Sequence, residues 1–569
     1  MKYQNNMPKF IRSHWPLLVC LVVFLGVAGL VLRSMLFQTA GHLIYPLDDT
    51  YIHMAMAKNI AGHGVYGVTP YEFSSSSSSP LWTLLLASFF MIFGVQDAIP
   101  LVLNLVFSSI ILVLAYKFLN SMGMKRVAIL LPLLAILFVT PLWTISVSGM
   151  EHVFHILLVL LYVTFVTAMM TRENTHHPGS DYWKCIILTA ALVLTRYESY
   201  ALIVSAGIFL LARRRRMLAL TLALAAILPL LFYQAISVAH GWFWLPNSIF
   251  IRTSVGFSGF SGGTVSPGAP ASVFHSIDHY LRVLGRNLTD GLHITLLVCS
   301  SACLIALSLF RTRTFWKPQY VLAGMFIFTA LSHLIFGRIG YFFRYEAYLV
   351  VMGILTLAAL LPECWKSLTQ GSMTSGKRFL SVCFIILCIC TPAVPLIGRM
   401  WDAFVQTPVA SRNIYEQQYQ MGTFFRENYP TATIAVNDIG AVSYLSNSHL
   451  VDLVGLGSVD ILRLRREGNF TTEGIGRTCE AHGVSVAILY DSWFQRDQMH
   501  GVPASWIRAG QWRIRDNVIC GDDIVSIYAV RPEELNQLLH NLRNFSSSMP
   551  AGVEQIGMYR TGTALKEER

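Results

Sequence analysis

The chain has few charged residues for its length. Of its 569 residues only 13% are charged, whereas 54% are apolar and the mean hydropathy is +0.53. Because a soluble domain carries about 25% charged residues, this composition excludes an ordinary soluble protein. Apolar runs long enough to span a bilayer recur over roughly the first 400 residues, with short charged loops between them. The sequence therefore predicts a polytopic α-helical membrane protein.

Acidic residues are also scarcer than basic ones, 31 against 42, which gives a net charge of +11. The basic residues are clustered, from Lys2, Lys9 and Arg12 before the first apolar run to residues 213–216 further along. These clusters lie in alternate loops, as the positive-inside rule requires. The excess charge therefore reflects membrane topology and does not indicate nucleic-acid binding.

If the basic clusters face the cytoplasm, the chain crosses the membrane about eleven times and its C-terminal domain lies outside. We predict a transmembrane domain over residues 1–398, an extracytoplasmic α/β domain over 399–545 and a flexible tail over 546–569. The α/β assignment rests on strand candidates at 433–436, 450–454, 485–489 and 524–530.

The first outer loop is predicted to cover residues 38–100. Its apolar run 80–93 is too short to cross a bilayer and is predicted to lie on the membrane as a juxtamembrane helix. A run of serines at 74–79 and a segment rich in glycine, serine and proline at 256–271 are predicted to be flexible, either as a substrate gate or as simple linkers.

Cysteine is concentrated in the apolar part of the chain. Eight of the ten cysteines lie in or beside predicted spans, where they behave as small apolar residues. Only Cys479 and Cys520 lie in the predicted soluble domain. An oxidising outer compartment would permit a disulfide between them, and the sequence leaves open whether it forms.

Two adjacent carboxylates, Asp48 and Asp49, follow the first apolar run. Acidic groups are costly near hydrocarbon, so their position at a membrane face calls for a cause. A helix cap at Asp49 would explain one carboxylate but not the second. The pair could instead accept a proton from a hydroxyl group, or hold a divalent cation such as Mg²⁺, Mn²⁺ or Ca²⁺. His53, one turn further on, could share the substrate or the metal.

Further ionisable residues recur on the same predicted side of the membrane. Glu151 begins the fourth span, Arg196 and Glu198 lie between the fifth and sixth, and Arg344 precedes the tenth. Arginine is well suited to a phosphate because it can donate two parallel hydrogen bonds. The structural alternatives are helix-dipole complementarity for Glu151 and ion pairing within the bundle for Arg196 and Glu198.

Two polar residues complete this set. Tyr345 follows Arg344 in an aromatic segment, where membrane-interface anchoring is the structural alternative. Asn247 opens a long outer loop in a Pro-Asn-Ser sequence, which is also a common turn. Each motif is weak alone, and their common side of the membrane makes them a candidate substrate site.

Taken in order, these motifs resemble the integral-membrane glycosyltransferases of the GT-C superfamily, which take sugars from polyprenyl-phosphate donors. The resemblance covers about residues 15–460 and is closest to the subgroup containing mycobacterial arabinofuranosyltransferases. The segments that carry it are LDDTYIHMAMAKNIAGHGVY, SSPLWTLLLASFFMIFG, SGMEHVFHILL, LVLTRYESYALI, LPNSIFIRT, FFRYEAYLV and VNDIGAVSYLSNSHLVDLVGLGSVD.

The resemblance implies an inverting transfer to a hydroxyl of a cell-envelope glycan, glycolipid or protein at the outer (periplasmic) face of the inner membrane. Asp48 or Asp49 would be the catalytic base, with Asp48 preferred and Asp49 supporting it or binding a cation. Arg196 or Arg344 would contact the donor phosphate. The sequence departs from the family at Arg196-Tyr197-Glu198, where relatives often have proline in the middle position.

The remaining predicted roles concern substrate contacts and the C-terminal domain. Glu151 and Glu198 would position sugar hydroxyls, with His53, Asn247 and Tyr345 as further substrate contacts. The α/β domain would shape acceptor access, and its residues Asp438 and Asp452 would be structural.

Two other classes of protein remain as alternatives. A lipid-linked glycan flippase would carry charged residues along several spans, whereas here they are predicted at one face. A non-catalytic membrane sensor would use the soluble domain to bind a ligand, and would not need both carboxylates of the Asp48-Asp49 pair.

Overall fold

The computed structural model describes residues 9–171, 179–244, 247, 282, 284–309, 315–369, 374–495, 499 and 501–560. The segment 256–271, which the sequence predicts to be flexible, lies outside the described residues. Along the chain, a long helical part comes first and a sheet-containing domain follows. This is the predicted fold class.

Fourteen helices of the described chain precede the sheet. They are α1 (Lys9–Gln38), α2 (Asp48–His63), α3 (Pro80–Phe93), α4 (Ile99–Ser121), α5 (Arg126–Val139), α6 (Leu142–Val147), α7 (His152–Thr171), α8 (Gly179–Thr195), α9 (Ser199–Ala212), α10 (Arg216–Ala239), α11 (Leu292–Leu309), α12 (Pro318–Phe336), α13 (Ala347–Thr369) and α14 (Ser375–Ile414).

Within the described ranges, eight helices are long and apolar enough to cross a membrane: α1, α4, α7, α10, α11, α12, α13 and α14. The protein is therefore a multi-pass membrane protein. Helices α5, α8 and α9 are apolar but shorter, so the predicted count of eleven crossings is not established. The predicted third span is divided because α5 ends at Val139 and α6 begins only at Leu142, after Pro141.

Helix α3 has the bounds that the sequence predicts for a juxtamembrane helix. It is 14 residues long, with Pro80 in its first turn and Gly94 as its C-cap. Its exposed apolar side chains include Leu84, Met91 and Ile92. An apolar helix too short to span, with such an exposed face, is suited to lie along a membrane surface.

The C-terminal part is a six-stranded mixed sheet with the strand order β2-β1-β3-β5-β4-β6. Strands β2, β1 and β3 are parallel, whereas β5, β4 and β6 are added antiparallel. The strands are β1 (Thr433–Val436), β2 (His449–Asp452), β3 (Val486–Leu489), β4 (Ile507–Arg513), β5 (Ile524–Ala529) and β6 (Glu554–Gly557).

A π-helical turn at Tyr415–Tyr419 and five helices accompany the sheet: α15 (Gln420–Asn428), α16 (Gly440–Leu445), α17 (Val459–Arg466), α18 (Thr472–Ala481) and α19 (Leu535–Phe545). Strand side chains alternate between two apolar cores. Ile434 and Val436 belong to one core, and Ala435 between them belongs to the other. The sheet is therefore buried on both faces, which explains its near-continuous apolar strands.

The structure corrects one prediction for this domain and answers one question that the sequence left open. The predicted tail begins at residue 546, but Glu554–Gly557 forms β6 and pairs with β4 through a register that includes Trp512 and Gln555. Residues 561–569 lie outside the described chain. Cys479 and Cys520 are both free thiols rather than a disulfide pair. Cys479 packs in the second apolar core.

The chain divides into two compact units. Unit 1 comprises residues 1–32, 100–231 and 271–405, and unit 2 comprises residues 33–99, 232–270 and 406–569. The first loop, with α2 and α3, is thus grouped with the sheet rather than with the remaining spans. The predicted domain boundary at residue 398 falls inside α14.

Candidate functional site

The two predicted carboxylates begin helix α2 in unit 2. Asp48 is its first residue, and its N-cap is Leu47, whose side chain makes no capping bond. Asp49 is therefore not the cap, in contrast to the structural alternative considered from the sequence. Asp48 is only 8% exposed, whereas Asp49 is half-buried.

Backbone amides engage both carboxylate oxygens of Asp48. Gly440 N–H donates to Oδ2 at 2.6 Å, and Ala441 N–H donates to Oδ1 at 2.8 Å. These two residues begin α16, so the carboxylate lies where a helix presents its unsatisfied amides. The contact joins the first loop to the loop that follows β1.

A third carboxylate, Asp438, interacts with Asp48. Its Oδ2 accepts hydrogen bonds from Gln418 Nε2 at 2.9 Å and from the Tyr490 hydroxyl at 3.3 Å. Burial raises the pKa of Asp48 well above its usual range, and the charge of Asp438 raises it further against the opposing amides. Burial also raises the pKa of Asp438. The pair therefore retains a proton at pH values where an exposed aspartate has lost it.

The sequence assigned Asp438 a structural role and missed this proximity. The available signal was its position, because Asn437-Asp438 directly follows the predicted strand 433–436. Residues at the carboxyl end of a parallel strand commonly face a ligand. The partner, Asp48, lies almost 400 residues earlier, and no local pattern connects the two.

The Asp48 carboxylate does not fit a divalent cation. Such an ion needs several oxygen ligands directed at one point, whereas Asp48 directs both oxygens at N–H donors. Across the described ranges, no group of three or more His, Cys, Asp or Glu side chains is placed to hold a metal ion. The arrangement is suited to proton exchange.

His53 lies on α2 and contacts α3. Its Nδ1 is 2.9 Å from Thr83 Oγ1 and 3.4 Å from Ser77 Oγ, and its side chain is 2% exposed. These bonds hold the two helices of the first loop together. His53 is therefore a buried, hydrogen-bonded histidine, and its role as a substrate contact stays a prediction.

The serine run 74–79 is largely buried and does not resemble a linker. Ser76 Oγ donates to the Leu456 carbonyl at 3.0 Å, and Asn247 Nδ2 donates to the same carbonyl at 3.2 Å. Asn247 is 1% exposed. The run and Asn247 therefore both bind the segment that follows β2, within unit 2.

In unit 1, Arg196 lies between α8 and α9 and is bound by two glutamates. Its Nε and Nη2 donate to the two oxygens of Glu198 at 3.1 and 2.5 Å, and its Nη1 donates to Glu151 Oε1 at 2.8 Å. Arg196 is 5% exposed and Glu151 is fully buried. Ion pairing within the bundle, the structural alternative for Arg196 and Glu198, is thus present, and Glu151 takes part in it as well.

Tyr345 brings the predicted residues of unit 1 together. The Arg196 guanidinium carbon lies 5.2 Å from its ring centre, and that of Arg344 lies 5.1 Å from the same ring. Arg344 also lies 4.8 Å from the ring of Tyr341 and is only 2% exposed. Aromatic faces attract a guanidinium group, so these rings fix the position of Arg344.

The turn before Arg344 is strained. Gly340, Tyr341, Phe342 and Phe343 all have positive φ, at 82°, 41°, 58° and 62°. Each non-glycine residue in this region costs roughly 1–3 kcal/mol and persists only where its surroundings enforce it. Such strain is often found at functional sites.

A buried ion pair enforces the turn. Glu346 Oε2 accepts the Gly340 N–H at 2.9 Å, and Arg399 of α14 donates both to Glu346 and to the Phe343 carbonyl. Burial alone would raise the pKa of Glu346, but Arg399 and His293 outweigh it and hold that pKa well below its usual range. The sequence did not predict Glu346 or Arg399 as part of this site.

The predicted site residues thus fall into two groups, one in each unit. Unit 2 contains Asp48, Asp49, His53 and Asn247, and unit 1 contains Glu151, Arg196, Glu198, Arg344 and Tyr345. Within its unit, each of these groups includes residues far apart in sequence.

The chain was compared with protein-family models and with curated proteins. Residues 412–528 match the family model of a domain of unknown function, DUF8728. This segment contains β1 to β4 and most of β5. No curated protein matches the chain.

The chain is also similar to solved structures of low sequence identity. One is ArnT from Cupriavidus metallidurans bound to undecaprenyl phosphate, at 13% identity, covering 90% of this chain and 98% of that one, with a TM-score of 0.48. The apo state of the same protein is 14% identical, with 90% of this chain and 98% of that one covered and a TM-score of 0.45. The Archaeoglobus fulgidus oligosaccharyltransferase in complex with Zn and sulfate gives 12% identity and a TM-score of 0.45, covering 94% of this chain and 74% of that one.

Proposed function

We propose that the protein is a membrane glycosyltransferase that moves a sugar, with inversion, from a polyprenyl-phosphate donor to a hydroxyl. The acceptor would be a cell-envelope glycan, glycolipid or protein at the outer face of the inner membrane. One observation carries the proposal: Asp48 and Asp49 begin α2 shortly after the first membrane helix, and the buried carboxylate of Asp48 interacts there with a third carboxylate, Asp438. The ordered motif resemblance supports it.

Transfer to a hydroxyl requires a base that accepts the proton of that hydroxyl. The acceptor oxygen attacks the anomeric carbon, the bond from that carbon to the phosphate oxygen breaks, and the phosphate leaves with the electron pair. The acceptor proton passes to a carboxylate. General-base catalysis of this kind is most effective when the pKa of the base lies near the working pH.

We assign the role of catalytic base to Asp49. The sequence favoured Asp48 for this role. Asp48 is buried with each oxygen held by an amide of Gly440 or Ala441. Asp49 is half-buried and adjacent, and its charge also acts on Asp438. The more exposed of the two carboxylates is the more accessible to an acceptor hydroxyl.

For the donor phosphate we assign Arg344 in preference to Arg196. Each of the donor groups Nε, Nη1 and Nη2 of Arg196 already binds a carboxylate. Arg344 is held by the rings of Tyr341 and Tyr345 at the end of a strained turn, which fixes the direction of its guanidinium group. A guanidinium group in a site of low polarity stabilises the charge that develops on a leaving phosphate.

Glu198 remains our candidate for a sugar hydroxyl contact. Its side chain is 17% exposed, whereas Glu151 is fully buried beside Arg196. Glu151 would then act on the sugar only through Arg196.

A deletion strain tests the proposed function. We expect it to accumulate one polyprenyl-phosphate sugar and to lack one residue from an envelope glycan, glycolipid or glycoprotein. Mass spectrometry of extracted lipids and of the envelope would identify donor and acceptor together. If the protein were a flippase, its deletion would instead leave a complete lipid-linked glycan on the cytoplasmic face.

A further inference from the structure

The parallel half of the sheet has a surface that α/β domains commonly use to bind ligands. Strands β2, β1 and β3 are parallel, so their carboxyl ends lie at one edge. Ligands of open α/β sheets bind outside this edge, and anions are held there by amides at the start of a helix. In this protein, the loop after β1 leads directly to the first residues of α16.

At this edge, the place of a bound anion is taken by a side chain of the protein itself, the carboxylate of Asp48. This carboxylate accepts hydrogen bonds from the N–H groups of Gly440 and Ala441, and it interacts with Asp438 of the loop after β1. The fit is close, since a Cβ added at Gly440 would lie 2.0 Å from the Asp48 carbonyl oxygen and 2.5 Å from its Oδ2. No side chain larger than glycine's can occupy that position while Asp48 stays in place.

The loop after β1 is itself held from two sides. Gln418, in the π-helical turn, donates to Asp438. The Tyr490 hydroxyl, at the carboxyl end of β3, lies 2.7 Å from Gln417 Oε1 and 3.3 Å from Asp438 Oδ2 and can donate to either. Tyr490 N–H donates to Asn437 Oδ1 at 3.3 Å. The titratable groups that act on Asp48 or Asp438 from the surrounding elements are Asp49, Tyr51, Tyr490 and Cys520.

We propose that the α/β domain is an intramolecular receptor for Asp48, and that Asp438 and the Gly440–Ala441 amides are positioning groups that hold the start of α2 for catalysis. Asp48 is then a positioning residue as well, acting through its neighbour Asp49. The catalytic part of this inference rests on the proposed function. The receptor part does not, because it concerns how the chain binds its own carboxylate.

A pair of glycine variants tests the catalytic part in the full-length protein. Gly440→Ala inserts a methyl group where Asp48 lies, whereas Gly62→Ala, on α2 itself, meets no atom within 4 Å. We expect Gly440→Ala to lower kcat by about 100-fold, since displacing a reacting group by about 1 Å has effects of that size. Gly62→Ala should keep wild-type kcat. Wild-type kcat in Gly440→Ala would overturn the proposal.

The variant Asp438→Asn tests the receptor part without any activity measurement. A carboxyl group whose pKa is raised by folding binds more protons in the folded than in the unfolded protein. Stability therefore falls as pH rises from the usual aspartate pKa towards the raised one. Removing the charge of Asp438 lowers the pKa of Asp48 and removes a second buried acid, so the loss of stability with pH should become smaller.

We expect the thermal midpoint of the purified protein to fall less between about pH 4 and pH 8 in Asp438→Asn than in wild type. Asp523→Asn, at an exposed position of the same domain, should retain the wild-type pH dependence. An Asp438→Asn profile equal to wild type would refute the receptor. If wild type showed no sugar transfer while this pH difference appeared, the proposed function would fail and the receptor would stand.

Discussion

The guanidinium of Arg196 lies over the ring of Tyr345, with its central carbon 5.2 Å from the ring centre. These residues are about 150 positions apart, and the sequence had singled out both as candidates for one substrate site. Arg344 packs against the same ring. Two glutamates bind Arg196, and the aromatic packing fixes the position of Arg344, our candidate for binding the donor phosphate.

Replacing Arg344 should weaken donor binding. Arg344→Lys keeps the charge but loses both the planar packing on Tyr341 and Tyr345 and the paired donors. We expect the KM for the lipid donor to rise about tenfold or more, as is typical for the loss of a hydrogen bond to a charged group. Arg338→Lys, at a nearby exposed position, is the control. An unchanged donor KM in Arg344→Lys would exclude this role.

The Glu346–Arg399 pair should be needed for the strained turn. Arg399→Gln leaves the fully buried Glu346 without its main counter-charge, and breaking a buried pair in this way costs about 3–5 kcal/mol. The double variant Glu346→Gln/Arg399→Gln removes the charge as well and should be more stable than Arg399→Gln alone. Unfolding free energies in detergent, compared as a double-mutant cycle, test this. Additive effects of the two changes would contradict it.

The two cysteines of the α/β domain should remain thiols. Cys479 is fully buried in an apolar core, and burial raises the pKa of its thiol to about 12. Cys520 is half-buried beside Gln418. Alkylation of the unfolded, unreduced protein followed by peptide mapping should label both residues. A Cys479–Cys520 linked peptide would contradict the structure.

Much of the fold could be predicted because its signals are local. The bounds of α3 follow from an apolar run between Pro80 and Gly94, and four predicted strand segments correspond to β1, β2, β3 and β5. Strands β4 and β6 were missed. β4 (Ile507–Arg513) alternates weakly and contains Gly510, and β6 (Glu554–Gly557) is a polar edge strand. Both depend on pairing partners, which a local pattern cannot indicate.

The candidate site could be predicted residue by residue, but its partnerships could not. Charge beside an apolar run identified Asp48, Arg196 and Arg344, because such placement is costly without a function or a partner. Asp438 lies hundreds of residues from Asp48, and Arg399 lies tens of residues from the turn that it contacts. The choice between Asp48 and Asp49 as the base depends on the hydrogen bonds that the first amides of α16 donate to Asp48. Only the folded chain brings these amides to Asp48, so the sequence could not decide it.

The central claim is tested most directly by sugar transfer in vitro. The full-length protein would be purified as wild type, as the double variant Asp48→Asn/Asp49→Asn and as Asp523→Asn, and each supplied with the lipid-linked sugar that accumulates in the deletion strain. We predict transfer by wild type and Asp523→Asn, and a rate lower by about 100-fold or more in the double variant, the typical contribution of a general base. Transfer at the wild-type rate by the double variant would contradict the proposed function.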